Sequence, residues 1–154
     1  MEHRVAVILP TYNGERYIER QIESILAQSY ELIDIYVYDD GSTDSTVNTV
    51  RRIIEVNDSK KNIILLAPTD KNLGCPESFY HILNQAPDYD YYAFSDQDDV
   101  WLPNKIERAI SALQKNAVGI PLVYFSSFRY VDEKLRFIRN APSPRLPIKM
   151  KDTL

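Results

Sequence analysis

The chain alternates two kinds of segment: short runs that are apolar throughout, and longer stretches where apolar side chains return every three or four positions. Arg4–Leu9, Leu32–Tyr38, Asn62–Ala67 and Tyr91–Phe94 are of the first kind and predict strands, the first of them covered on both faces. Between them, Ile18, Ile22, Ile25 and Leu26 recur at helical spacing from Glu15 onward, with Arg16, Glu19, Arg20 and Glu23 outside. Val47, Val50, Ile53 and Ile54 mark a second helix that Ser42 or Thr43 can cap. Phe79, Ile82 and Leu83 mark a third, beginning near Pro76. Pro103 opens a fourth, with Ile106, Ala109, Ile110 and Leu113 on its buried side. Beyond it, Leu122–Tyr130 and Leu135–Ile138 predict a closing pair of strands with Asp132 and Glu133 in the turn.

Strands alternating with helices of this length predict an α/β fold: a mostly parallel sheet flanked by helices through right-handed crossovers. In such sheets ligands bind beyond the carboxyl ends of the strands, where strand order reverses. Three polar clusters fall at such ends. Pro10-Thr11-Tyr12-Asn13-Gly14 breaks the first strand, Asp39-Asp40-Gly41-Ser42 ends the second, and Ser95-Asp96-Gln97-Asp98-Asp99 follows the fourth. Carboxylates crowded at a strand end repel one another unless a proton or cation lies between them. Hard divalent cations such as Mg²⁺ take oxygen ligands of this kind and commonly share them with substrate phosphates. The pattern points to a metal–phosphate site at the mouth of a sheet.

Composition narrows this only a little. A chain of 154 residues, 44% hydrophobic and 26% charged, can build one domain with its own core. A net charge of −4 and a pI near 5.2 weigh against a nucleic-acid partner, which needs a basic face. The single cysteine, Cys75, precludes an intramolecular disulfide, fits a reducing compartment, and reads as a small buried apolar residue. No apolar run reaches the roughly 18–20 residues of a membrane span and no signal peptide is evident, so the expectation is a cytoplasmic protein.

Several common sites are missing from the sequence. The turn after the first strand is Pro-Thr-Tyr-Asn-Gly rather than a glycine-rich dinucleotide loop, and no Gly-Lys-Ser/Thr phosphate cradle occurs. One cysteine and two histidines, His3 and His81, cannot assemble a usual zinc site. A Ser–His–acid triad suffers the same shortage, and lone histidines are mostly structural. Taken alone, Asp40-Gly41-Ser42-Thr43 reads as a turn and helix cap. Asp96–Asp99 reads equally well as a solvated loop before the helix at Pro103, and Trp101 as packing.

Together, four segments resemble a known family. Pro10-Thr11-Tyr12-Asn13-Gly14, Tyr38-Asp39-Asp40-Gly41-Ser42-Thr43-Asp44, Asn72-Leu73-Gly74 and Ser95-Asp96-Gln97-Asp98-Asp99-Val100-Trp101-Leu102-Pro103 are similar to family 2 glycosyltransferases of the GT-A fold, in the family's order and spacing. The tail of the last segment is similar to bacterial rhamnosyltransferase-like members. The resemblance implies a GT-A (Rossmann-like) nucleotide-sugar-binding domain over residues 1–138, its sheet incomplete at the C-terminus, acting on a UDP- or dTDP-linked sugar. It implies a floor of Pro10, Thr11, Tyr12 and Asn13 beneath the nucleoside, with Asp40 foremost and Asp39 second at the base. Asp98 would ligate Mg²⁺ or Mn²⁺, and Asp96 would lie at the ribose or share the metal, with Asp99 beside them. The function implied is inverting, metal-dependent sugar transfer to a glycan or lipid-linked acceptor in bacterial surface polysaccharide synthesis.

An inverting transfer also needs a general base. In the resembling family it comes well after Asp-x-Asp, so here it is expected beyond Leu154. The Pro- and Lys/Arg-bearing segment 139–154 is expected to be irregular and to lead into an acceptor-binding half that is not part of the chain. Its Arg139, Arg145, Lys149 and Lys151 leave open a peripheral contact with the inner face of the membrane. Two alternatives stand beside this reading. One is a nucleotide-sugar-binding piece without catalysis of its own. The other is a haloacid-dehalogenase-type phosphatase using Asp96 as nucleophile, which needs its motif on an early strand and further groups downstream.

Overall fold

The structure is a computed structural model that describes residues 3–115 and 121–142. The expected alternation is present: β1 (Val5–Thr11), α1 (Ile18–Leu26), β2 (Ile33–Asp39), α2 (Thr46–Val56), β3 (Asn62–Leu65), α3 (Glu77–Gln85), β4 (Tyr91–Phe94), α4 (Lys105–Gln114), β5 (Arg129–Val131) and β6 (Phe137–Asn140). The chain divides into two compact units, residues 1–108 and 109–154, the division falling inside α4. No helix among the described residues is long and apolar enough to cross a membrane.

In the first unit the sheet order is β3-β2-β1-β4, with every pairing parallel. The chain steps outward from β1 to β3, then crosses back to the far side of β1 for β4. Right-handed crossovers therefore put α1 and α2 on one face and α3 on the other. In agreement, α1 packs against α2, while α3 packs on β1 and β2. On the α3 side Ala6, Ile8, Tyr36, Tyr38 and Ile82 form a buried cluster, flanked by Leu66, Leu73, Phe79 and Leu83. The alternate residues Val5, Val7, Leu9, Ile35 and Val37 are equally buried, as a strand covered on both faces requires.

Pro10 does not break the first strand. It lies inside β1, opposite Tyr38. Thr11 O accepts the Asp40 amide on the β2 side at 2.8 Å, whereas Ile8 O accepts the Ser95 amide on the β4 side at 3.0 Å. Backbone direction alternates along a strand, so Pro10, like Ile8, faces β4. The β1–β4 register ends at Ile8 and Phe94, and the proline's missing N–H falls where no ladder partner is needed.

At the opposite end of the sheet, Asp34 is 6% exposed and gathers a polar network. Tyr89 Oη and Asn62 Nδ2 donate to it at 2.6 Å each, and Arg4 forms an ion pair with it. Burial alone would raise its pKa, but the hydrogen bonds from Tyr89, Asn62 and Arg4 outweigh that and hold it below the usual carboxylate value.

In the second unit β5 and β6 form an antiparallel hairpin with an irregularity at Tyr130/Val131. Asp132 organises the turn, accepting the amides of Lys134 and Arg136 at 2.9 Å each and Arg136 Nε at 2.7 Å. The predicted strand Leu122–Tyr130 shrinks to Arg129–Val131, and its partner lies at Phe137–Asn140 instead of Leu135–Ile138. Leu122–Phe128 has strand-forming residues but joins neither described ladder; Phe128 O accepts the Ala141 amide at 3.0 Å just beyond the hairpin, and Val123 and Phe125 are exposed. Of the segment 139–154, Arg139 and Asn140 belong to β6; Arg145, Lys149 and Lys151 lie outside the described residues.

Candidate functional site

The strand order reverses between β1 and β4, and there β1 outruns its neighbour. The last β4-side bond reaches Ile8, while β1 continues to Thr11. The result is a notch at the carboxyl edge of the sheet, the general ligand position in open α/β folds. The loops after β1, β2 and β4 meet at it.

The first two loops are laced together in both directions. Asn13 N donates to Ser42 Oγ at 2.8 Å, and Asn13 Oδ1 accepts the Thr43 amide at 2.9 Å. Glu15 N donates to Asp44 Oδ2 at 3.1 Å, and Glu15 Oε2 accepts the Ser45 amide at 2.8 Å. Gly14 N donates to Thr46 Oγ1 at 2.8 Å. Asn13 adopts φ 47°, a left-handed conformation that asparagine tolerates better than most residues. Ser42 and Thr43 are thereby spent on Asn13 rather than on capping. Helix α2 starts at Thr46, and Asp44 accepts its amide at 3.0 Å.

Asp39 and Asp40 do different work. Asp39 turns the chain, accepting the amide and hydroxyl of Ser42 at 2.9 and 2.6 Å. Asp40 is 5% exposed, and its two carboxylate oxygens accept the amides of Leu73 and Gly74 at 2.6 and 2.7 Å. Tyr38 Oη adds a longer bond at 3.3 Å, and Asn72 Nδ2 donates to the Asp40 carbonyl at 2.6 Å. Gly74 has φ 74°, so this loop needs glycine for its backbone shape. A carboxylate offers about four acceptor directions, so one on Asp40 remains after these three. Asp40 thus holds the segment Asn72-Leu73-Gly74 against the end of β2.

The acidic loop is fastened from two sides. In front, Gln97 Oε1 accepts Thr11 Oγ1 at 2.7 Å and Tyr12 N at 3.0 Å, and Gln97 Nε2 donates to Tyr12 O at 3.0 Å. Behind, three polar residues on one stripe of α1 and its C-terminal end hold it. Gln21 Nε2 donates to Ser95 Oγ at 2.5 Å, Ser24 Oγ accepts the Trp101 amide at 3.0 Å, and Gln28 Nε2 donates to Leu102 O at 2.8 Å. Gln28 Oε1 also accepts the Ile106 amide at 3.1 Å, capping α4 from outside the helix. Trp101 is 5% exposed beneath the loop, with Lys105 Nζ 5.1 Å above its ring centre.

Every sequence-derived site residue thus lies on this rim. Thr11 and Asp40 are buried, Pro10 and Asp39 half-buried, and Tyr12, Asn13, Asp96 and Asp98 exposed. Asp99 is crowded by surrounding protein and by the charges of Asp96 and Asp98, and its pKa is raised despite the opposing charge of Lys105. Among the described residues no group of three or more His, Cys, Asp or Glu side chains is already gathered as a cation cage. The donors present are carboxylates on one exposed loop. They fit a hard cation such as Mg²⁺ or Mn²⁺ held by one or two protein oxygens, the rest coming from water and substrate phosphate. Of the two histidines, His81 packs against the Tyr38 ring, the centroids 4.5 Å apart, and His3 lies beside Asp90. Cys75 is exposed, against the expectation of burial, because it follows the Asp40-held turn and not a packed helix face. Gly14 and Gln97 stand inside the quoted segments without a role assigned to them there, and Gln21, Ser24 and Gln28 carry no sequence signal beyond a shared side of α1.

The glycosyl transferase family 2 profile matches residues 6–152. The chain belongs to glycosyltransferase family 2. This membership removes the phosphatase alternative. A dTDP-rhamnosyl transferase of Shigella flexneri is 40% identical over 111 residues, covering 70% of this chain and 37% of that protein. A UDP-Glc:alpha-D-GlcNAc-diphosphoundecaprenol beta-1,3-glucosyltransferase of Escherichia coli is 34% identical over 118 residues, covering 77% of this chain and 44% of that protein. The chain therefore spans less than half the length of these two family 2 relatives. In structure it is similar to the S. aureus protein TarS in complex with UDP (TM-score 0.63, 25% identity, 83% of this chain and 41% of that one). It is also similar to a mannosyltransferase of Pyrobaculum calidifontis in complex with GDP-Man and Mn²⁺ (TM-score 0.68, 28% identity, 77% of this chain and 34% of that one). The α/β architecture is that of the GT-A family 2 enzymes.

Proposed function

We propose that the notch between β1 and β4 binds the nucleoside diphosphate of an activated sugar, within an inverting glycosyltransferase of surface polysaccharide assembly. The observation that carries this reading is the convergence of three hydrogen-bonded loops, Thr11–Glu15, Asp39–Thr46 and Ser95–Trp101, on the strand-order reversal. The relatives' names speak for the same class of donor, since they include dTDP-rhamnosyl and UDP-glucose transferases.

In this reading Pro10, Thr11 and Tyr12 form the floor beneath the nucleoside, and Asn13 fixes its edge through Ser42 and Thr43. Asp40, with Asp39 next to it, meets the imide N–H of a uracil or thymine with its remaining acceptor direction. Asp98, with Asp96 toward the ribose, holds Mg²⁺ or Mn²⁺. A cation there would neutralise the charge gathering on the leaving diphosphate, an effect worth several kcal/mol in such sites. The acceptor, a glycan or lipid-linked saccharide, and the general base that takes its proton belong to the reaction but to no described residue.

Calorimetric titration of UDP and dTDP, with and without Mn²⁺, tests the proposal. Binding that strengthens with Mn²⁺, and loses that gain in Asp98→Ala, is the expected outcome. Equal affinity with and without metal in the wild type would overturn the assignment of Asp98.

A further inference from the structure

Gln97 joins the acidic loop to the β1 loop by both ends of its amide. Its Oε1 accepts the Tyr12 amide at 3.0 Å while its Nε2 donates to the Tyr12 carbonyl at 3.0 Å, closing a ring with a single backbone residue. Thr11, 2% exposed and anchored in β1, supplies a third bond at 2.7 Å. The contact is possible only because residue 14 has no side chain. A Cβ there would stand 2.1 Å from Gln97 Oε1 and 3.2 Å from Thr11 Oγ1. Gly14 is therefore required for the space that Gln97 fills, independently of backbone conformation.

Gln97 sits between Asp96 and Asp98 in the chain, and consecutive Cα atoms are about 3.8 Å apart. Pairing Gln97 with Tyr12 thus fixes where both neighbouring carboxylates start. We infer that Gln97 is a positioning residue that keeps the cation-binding carboxylates in register with the nucleoside floor, so that metal and nucleotide strengthen each other's binding. The inference rests on the nucleotide–metal reading above. Its physical basis is shared ordering: a ligand settled on Thr11 and Tyr12 steadies the acidic loop through three hydrogen bonds. A cation arriving at Asp98 then meets a loop already held, and the coupling is reciprocal. Glutamate could not substitute, because its second oxygen would face the Tyr12 carbonyl and its charge would join three neighbouring carboxylates.

The test compares the wild-type chain with Gln97→Ala, Gln97→Glu, Gly14→Ala and the Gly14→Ala/Gln97→Ala double variant. For each, UDP and UMP, or dTDP and dTMP if thymine is preferred, are titrated with and without Mn²⁺, alongside a thermal unfolding scan. The expected result is that the Mn²⁺-dependent gain in diphosphate affinity falls at least about fivefold in each single variant, clearly more than metal-free monophosphate affinity, which registers only the change at Tyr12 and Asp96. The double variant should lose no more than the worse single one, since both changes remove one contact. A parallel loss of mono- and diphosphate affinity would reduce Gln97 to a structural role and overturn the inference. So would an unchanged metal gain in folded Gln97→Glu, with the nucleotide reading left standing. A wild type that shows no metal gain overturns that reading, and the coupling with it.

Discussion

Gly74 donates its amide to Asp40 Oδ2 at 2.7 Å across 34 positions of sequence, so the acid at the end of β2 organises a loop that the chain forms only after β3. With Leu73 bonded to the other oxygen, Asp40 serves as an architectural anion as well as a candidate ligand for a base. Replacing it by asparagine leaves one of the two amides facing an N–H₂ group. Asp40→Asn should therefore cost about 1–3 kcal/mol of stability, the usual penalty for a buried donor without its acceptor. Asp39→Asn, half-buried in a turn, should cost less. Chemical denaturation of both variants, beside nucleotide titration, separates the two acids. A loss of affinity in Asp40→Asn without any loss of stability would contradict the anchoring role.

Part of the acid sensitivity should originate at the other end of the sheet, at the most buried of the carboxylates held below their ordinary values. The Asp34 carboxyl is held below its ordinary value, so the unfolded chain binds its proton more readily than the folded one. Its stabilising contribution is complete above about pH 4, the unfolded carboxylate value, and is lost as pH falls through the lower folded value. Urea midpoints measured from about pH 6 down to pH 3 should fall with acid, and Asp34→Asn should flatten that fall. An identical slope in the variant would assign the acid sensitivity elsewhere.

Gln28 ties the end of α1 to the start of α4 through Leu102 O and Ile106 N, and its own carbonyl accepts Lys61 Nζ at 3.0 Å. Gln28→Ala leaves the buried Ile106 amide uncapped and the Leu102 carbonyl without its donor, a loss of about 1–3 kcal/mol. Hydrogen exchange should show faster opening at Trp101–Ile106, while the β1–β2 ladder keeps its protection. Uniform acceleration across the sheet would mean that the bond supports the whole fold rather than this loop.

The parts of the site that could be read from the chain are those marked by a change of pattern. Asp39, Asp40 and Asp96 stand where apolar runs stop, and strand ends are where α/β folds place ligands. Gln97, Gln21 and Gln28 could not be read that way. The contacts by which they fasten the acidic loop lie 74 to 86 positions away, and an amide side chain has neither period nor charge to announce such a contact. Pro10 looked like a strand breaker because ladder geometry, not residue type, decides whether a missing N–H matters. Leu122–Phe128 looked like a strand because β propensity describes the residue and not the pairing its backbone enters.

The reciprocal lacing of Asn13–Glu15 with Ser42–Ser45 has a kinetic consequence. A shelf stitched at both edges has little motion left to surrender when a ligand lands on it. Nucleotide arrival at this rim would be paced by diffusion and by repulsion between phosphates and exposed carboxylates, rather than by waiting for loops to fold. Added salt or a divalent ion should then speed the encounter itself, before any equilibrium is reached.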